Sequence, residues 1–260
     1  MDAKNKKTKQ YTIADIKILM TTYFQETRDR AADYEDDSWD VNDADEVINI
    51  KPEIYDIEHQ NCMDHYDESV GMDRSQASIF AYNRVEYSLT GALFNRYILR
   101  HSGIMLHSSA VVVDGYAYLF SANSGVGKST HTGLWVKNLG DKAYIINDDK
   151  PAIRLVDGEL RVFGTPWSGK TTLNENKGVK LGAIVFLERS ENNWIKPMSP
   201  NDAIKLFFPQ TIRYIVKEEN MQLALGRMEE VLTNCPLYNM GCNISDEAFE
   251  LAYKTIKINN

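Results

Sequence analysis

Residues 122–129 read Ala-Asn-Ser-Gly-Val-Gly-Lys-Ser, and this octet leaves the chain few ways to fold around it. The apolar run Tyr116–Phe120 leads in, and Ser129–Leu139 follows with Leu134, Trp135 and Leu139 on a helical stripe that Gly140 stops. Strand, glycine-bearing loop and helix in that order turn backbone N–H groups inward at the positive end of a helix. The result is a cradle for a phosphate chain, so ATP and Mg²⁺ are the expected ligands. Lys128 reaches the β- and γ-phosphates and the Ser129 hydroxyl faces the metal, while Asn123, Ser124, Gly125, Val126, Gly127 and Thr130 complete the nucleotide-binding stretch.

The same pattern recurs at Gly164-Thr-Pro-Trp-Ser-Gly169-Lys170-Thr171. Here Pro166 removes an N–H from the would-be cradle, Trp167 crowds it, and TTLNENKGVK lacks an apolar helical face. It reads as a decoy.

About twenty residues beyond Lys128, AYIINDDKP places Asp148 and Asp149 at the end of a short apolar strand, Ala143–Ile146. Adjacent carboxylates beside a metal can divide labour, one steering the ion and one accepting a proton from an attacking hydroxyl. Around this centre the texture is strand-rich. Ile104–Val113 and Tyr116–Phe120 flank the turn Asp114-Gly115, Ile153–Val156 and Leu160–Phe163 flank Asp157-Gly158, and Leu181–Leu187 is the last clear strand. Helices are expected at Ser199–Phe208, Glu218–Leu232 and Ser245–Ile256, with Ser199 and Ser245 as N-caps.

The first hundred residues are less explicit. Residues 1–10 are polar and lysine-rich and read as a disordered tail, and 11–100 as a small α+β region ahead of an α/β domain at 101–260. Within that region Ile13–Phe24 suggests a helix, Val47–Ile50 and Ser78–Tyr82 strands, and Asn83–Arg100 a helix ended by Gly103. Tyr34–Glu46 carries seven carboxylates in thirteen residues and reads as a solvated acidic loop, which would suit an acceptor bearing basic residues. His59, Cys62 and His65 lie close together, but without a second ligand pair Cys62 reads as a packed thiol rather than a zinc ligand.

A net charge of −8 offers no field to gather nucleic acid or an anionic membrane. Three cysteines, no apolar leader and no run of about 18 apolar residues make a cytoplasmic chain the expectation.

LHSSAVVVDGYAYLFSANSGVGKST followed by INDDKP resembles the HPr kinase/phosphorylase family, which shares a core with phosphoenolpyruvate carboxykinase. The likeness spans about residues 100–190 and implies a mixed-sheet α/β core of the HPr kinase C-terminal and carboxykinase type. It implies further that His107 lies near the phosphates, that Asp148 is the base toward a serine hydroxyl, and that Asp149 joins Ser129 beside the metal. His131 falls where those kinases carry Glu, and its role is open. Their Glu-x-Arg-Gly segment has no counterpart; GTPWSGK stands roughly there, which argues against HPr itself as substrate. The chain is more similar to short HPr-kinase-like proteins, among them serine kinases of lasso-peptide precursors. In these GTPWSGK would lie across the site, with Lys170 able to contact phosphate or substrate, and PLYNMGCN (236–243) is similar to their C-terminal part. HPr kinases are hexamers, so self-association is the corresponding expectation.

The resulting expectation is an ATP- and Mg²⁺-dependent kinase with Asp148, Lys128 and His107 as catalytic residues, acting on a peptide or protein serine, in peptide natural-product tailoring for instance. The alternatives are a small-molecule hydroxyl as acceptor, or an ATP-binding regulatory module that transfers nothing. Carboxykinase chemistry fits poorly, because no oxaloacetate-binding arginine or manganese-ligand set stands out.

Overall fold

The computed structural model describes residues 5–65, 73–211 and 218–257. It divides into two compact units between Tyr97 and Ile98.

In the first unit, β1 (Lys7–Ile13) and β2 (Ile16–Thr22) form an antiparallel hairpin, and β3 (Glu46–Ile48) adds in parallel to β2. Ile13–Phe24 is therefore not the expected helix. Ile16, Ile18 and Met20 are buried on alternate positions of β2, and Ala14 and Asp15 supply the two positive φ angles a tight hairpin turn needs. Lys7–Gln10, expected to be disordered, form the first half of β1; Met1–Lys4 lie outside the described residues. Helices α1 (Gln25–Ala31), α2 (Pro52–Asp64) and α3 (Arg74–Ile98) follow. Ser78–Tyr82, expected as a strand, lies inside α3, because Ala77, Ala81 and Val85 recur every four residues on one buried stripe. That helix ends with Ser102 in the left-handed conformation after a single 3₁₀ turn, and Gly103 already begins the next strand.

Glu86 is fully buried in this unit, its carboxylate accepting from the amides of Tyr23 (2.7 Å) and Phe24 (3.0 Å). The acidic segment is tied down locally. Asp36 accepts from Thr12, Asp40 caps the turn at Asn42, and Asp45 accepts from the Lys17 amide. Cys62 is exposed rather than packed, and His59 stacks on Tyr82, so these residues form no ligand set.

The second unit is a mixed α/β fold. Its strands are β4 (Gly103–Met105), β5 (Ser108–Val113), β6 (Tyr116–Ser121), β7 (Ala143–Asn147), β8 (Ala152–Val156), β9 (Glu159–Phe163), β10 (Gly178–Arg189), β11 (Trp194–Pro197) and β12 (Leu237–Cys242). They join one sheet in the order β4-β8-β9-β10-β6-β5-β7, with β12 parallel to β10 and β11 antiparallel to β12. Two strands follow β10, where the sequence suggested none; β11 and β12 are short and only partly buried, which blunts their apolar signal.

Helices α4 (Lys128–Leu139) and α7 (Asp246–Ile256) cover one face, and α5 (Pro200–Phe207) with α6 (Glu218–Asn234) the other. The strands divide their side chains accordingly. Ala110 and Val112 of β5 and Leu119 of β6 join the core under α5 and α6, while Val111, Val113, Tyr118 and Phe120 join the core around Trp135 of α4 and Phe249 of α7. Both faces being buried explains the apolar runs Ala110–Val113 of β5 and Tyr116–Phe120 of β6. Ser199 and Ser245 are the N-caps of α5 and α7, accepting from the amides of Asp202 and Ala248. Among the described residues no helix is long and apolar enough to cross a membrane.

Pairing directions set the geometry of the site. β6 is parallel to β10, β10 to β12, and β5 runs antiparallel to both β6 and β7. The carboxyl ends of β7, β6, β10 and β12 therefore share one edge of the sheet, where ligands of parallel α/β sheets bind.

Candidate active site

At that edge β6 runs into residues 122–127 and then α4. Gly127, at φ 127°, is the N-cap of α4, and a side chain there would force a backbone that L-residues rarely adopt. Ser124 and Gly125 are exposed, so the loop opens outward as a cradle requires. Lys128 begins the helix and is almost buried, its Nζ donating to the Ala122 carbonyl at 3.1 Å. This clamps the loop's two ends together. Gly164–Thr171, the second octet, has no helix after it, which is the decoy's expected failing.

Asp148 and Asp149 follow directly on β7, and the structure sends them to different partners. The Ser129 hydroxyl donates to Asp148, its Oγ lying 2.9 and 3.1 Å from the two carboxylate oxygens. Asp148 is buried, and Thr171 Oγ1 stands 3.4 Å from it. Asp149 sits at φ 79°, a left-handed conformation that turns its side chain the other way, toward His107 Nε2 at 3.2 Å. Strain of this kind persists where surroundings over-determine it, often at functional sites. So the Ser129 hydroxyl is bonded to the Asp148 carboxylate and not to that of Asp149, whereas the resemblance implied Ser129 and Asp149 together beside the metal. The reason is the left-handed bend at Asp149, which has no signature in the sequence.

His107 is held from behind. Gln210 Nε2 donates to Asn123 Oδ1 at 2.9 Å, leaving Gln210 Oε1 to accept from His107 Nδ1 at 2.9 Å. Asn123, Gln210, His107 and Asp149 thus form one chain of hydrogen bonds. Burial pushes the Asp149 carboxyl upward, but the His107 hydrogen bond and the charges of Lys150, His107 and Lys128 outweigh it, and the group ends below its ordinary value. It is a carboxylate at neutral pH.

GTPWSGK lies against this pair, as expected of it. Gly169 packs so closely on Asp149 that a Cβ there would stand 2.8 Å from the Asp149 Cβ, and Thr171 reaches Asp148. Trp167 and Ser168 are buried beneath the turn. Lys170 is exposed and makes none of the hydrogen bonds just described. On the other side of the loop, His131 is buried in α4 against Phe120, and burial pushes its pKa down to about 4, so it is neutral.

Among the expected residues, Ser129, Asp148, Asp149, His107 and Asn123 are brought into one cluster with Lys128 beside it. Gly169, within the GTPWSGK segment expected across the site, and Thr171 just after it belong to it too, and Gln210 was missed. Gln210 lies 103 residues from its partner His107, and no local pattern marks it.

No protein-family model matches the chain, and no curated protein matches it. Among solved structures it is similar to the Hpr(Ser) kinase/phosphatase from Coxiella burnetii, at 10% identity over 58% of this chain and 94% of that one, with a TM-score of 0.34. A likeness of that size says nothing about residue roles.

Two oxygen donors, the Ser129 hydroxyl and the Asp148 carboxylate, meet at the helix start beside the loop. This donor set fits Mg²⁺, which binds through one or two carboxylates plus substrate phosphates and keeps several waters.

Proposed function

We propose that this chain is an ATP- and Mg²⁺-dependent kinase that transfers the γ-phosphoryl group to a hydroxyl, the serine of a peptide or protein, in natural-product tailoring for example. One observation carries the reading. At the sheet edge beside the cradle the two aspartates part, one toward the Ser129 hydroxyl and the other toward His107.

That parting supports a division of labour opposite to the one implied by the resemblance: Asp148 with Ser129 on the metal side, and Asp149 as the base. Bound Mg²⁺ would draw charge from the β- and γ-phosphate oxygens. The amides of residues 124–129 and Lys128 would hold the triphosphate in place. Asp149, kept ionised and oriented by His107, takes the proton of the acceptor hydroxyl as its oxygen bonds to the γ-phosphorus. The bond from that phosphorus to the β-phosphate oxygen breaks, and its electron pair leaves on ADP. Exposed Lys170, next to the Gly169 turn that touches Asp149, is available to an incoming acceptor.

The test is transfer of label from γ-labelled ATP to peptides, proteins and small hydroxyl compounds, with Asp149→Asn and Asp148→Asn beside the native chain. Asp149→Asn should lower transfer by about 10²–10⁴ while Mg²⁺–nucleotide binding persists. Asp148→Asn should instead weaken the Mg²⁺ dependence of nucleotide binding. Nucleotide binding with no transfer to any acceptor would favour the non-catalytic module.

A further inference from the structure

The nucleotide loop divides the sheet edge in two. On the β7 side lie Ser129, Asp148, Asp149 and His107, the groups that would handle a terminal phosphate. On the β10 and β12 side lies a cavity of about 550 Å³, within the range of about 300–1,000 Å³ usual for small-molecule sites. Its wall begins with Gly125, Val126 and Gly127 of the loop itself, so anything held in the cradle extends either across the aspartates or into this cavity.

The cavity's lining is mainly apolar. Leu134 of α4 and Leu187 of β10 line it, and Ile244, just past β12, stands 78% exposed at its mouth. Polar groups are few. Thr130 and Asn243 are among them, with Glu191 available to ribose hydroxyls. Arg189 is already committed, donating to the Gly125 carbonyl and bracing the loop from this side.

The telling residue is His131. It is only 3% exposed, lies on the cavity wall, and neither ring nitrogen has a hydrogen-bond partner among the described residues. A buried donor or acceptor left unpaired is costly, and the cost is relieved when a ligand supplies the partner. The ring is fixed by its contact with Phe120, the two centroids 4.5 Å apart. The two ring nitrogens of the imidazole can pair with the edge of a nucleobase.

We infer that this cavity seats the nucleoside half of the triphosphate, with the base against Leu134, Leu187 and Ile244 and hydrogen-bonded by His131. The inference rests on the reading of residues 122–129 as a phosphate cradle. The acceptor hydroxyl does not compete for this space, because it must approach the terminal phosphorus from the Asp149 side.

The experiment compares calorimetric binding of ATP, GTP and inorganic tripolyphosphate, each with Mg²⁺, to the full chain. Tripolyphosphate engages the cradle alone. It should bind, and Lys128→Ala should abolish that binding. At least one nucleotide should bind about a hundredfold tighter than tripolyphosphate. His131→Leu should cost that nucleotide about tenfold while leaving tripolyphosphate unchanged. Ile244→Asp, at an exposed position that threatens no core packing, should act in the same direction and serves if His131→Leu does not fold. Equal affinity of nucleotides and tripolyphosphate in the native chain, or nucleotide affinity untouched by both cavity variants, overturns the nucleoside seat and leaves the cradle standing. Failure of tripolyphosphate to bind, or binding indifferent to Lys128, overturns the cradle and the seat with it.

Discussion

Replacing Gly169 by Ala tests whether the GTPWSGK turn holds Asp149 in its working position. Two costs add. At φ 69° an L-residue pays roughly 1–2 kcal/mol for the left-handed conformation. The new Cβ would also stand 2.8 Å from Asp149 Cβ, 3.0 Å from Cγ and 3.1 Å from Oδ2, and relieving such overpacking costs roughly 1–3 kcal/mol. The methyl group cannot swing away, and Asp149 is pinned between β7 and Lys150, so its carboxylate is what gives. Gly158 provides the control. It has φ 82° in the β8–β9 turn and nothing within 4 Å of its would-be Cβ, so Gly158→Ala carries the backbone cost alone. Thermal unfolding at roughly 2–4 °C per kcal/mol should therefore place the midpoint of Gly169→Ala several degrees below that of Gly158→Ala. Turnover of ATP, with water or a peptide as acceptor, should fall at least about tenfold in the first variant only. Equal midpoints together with equal turnover would refute the idea that this turn positions Asp149.

Gln210→Leu removes the group that joins Asn123 to His107 and leaves both without that partner. Gln210 acts through His107, so transfer should drop roughly 10–100-fold while nucleotide affinity, read by titration, changes far less. In the first unit, burial pushes the Glu86 carboxyl above its ordinary value of 4.5, the opposing hydrogen bonds from the Tyr23 and Phe24 amides being the smaller effect. A carboxyl raised in the folded state contributes stability that is full below pH 4.5 and lost as pH rises through its folded value. The melting midpoint of the native chain relative to Glu86→Gln should accordingly fall as pH climbs from 4.5, and a flat difference would contradict the assignment.

Much of the second unit was legible because its signals are local. Asp114-Gly115 and Asp157-Gly158 have the positive φ angles that their hairpins require, and the two serine caps hold the helices they were expected to start. The first unit was less legible. The run Ile13–Phe24 is apolar at nearly every other position and also at helical spacing, so period alone could not arbitrate, and the pairing of β2 with β1 and β3 decided for strand. Ser78–Tyr82 failed in the opposite sense, because its neighbours on the Ala77-Ala81-Val85 stripe belong to a longer helix than five residues can reveal.

By itself the sequence determined the loop of residues 122–129, the helix behind it and the position of two aspartates at the end of a strand, since strand, glycine-bearing turn and helix are chosen by neighbours a few residues apart. Only the tertiary structure decided which aspartate meets Ser129 and which meets His107, that Gln210 backs the histidine, and that Gly169 walls the site. Those contacts join segments up to 103 residues apart. They depend on one left-handed residue, Asp149, whose conformation is held by the loops packed around it and not by its own side chain.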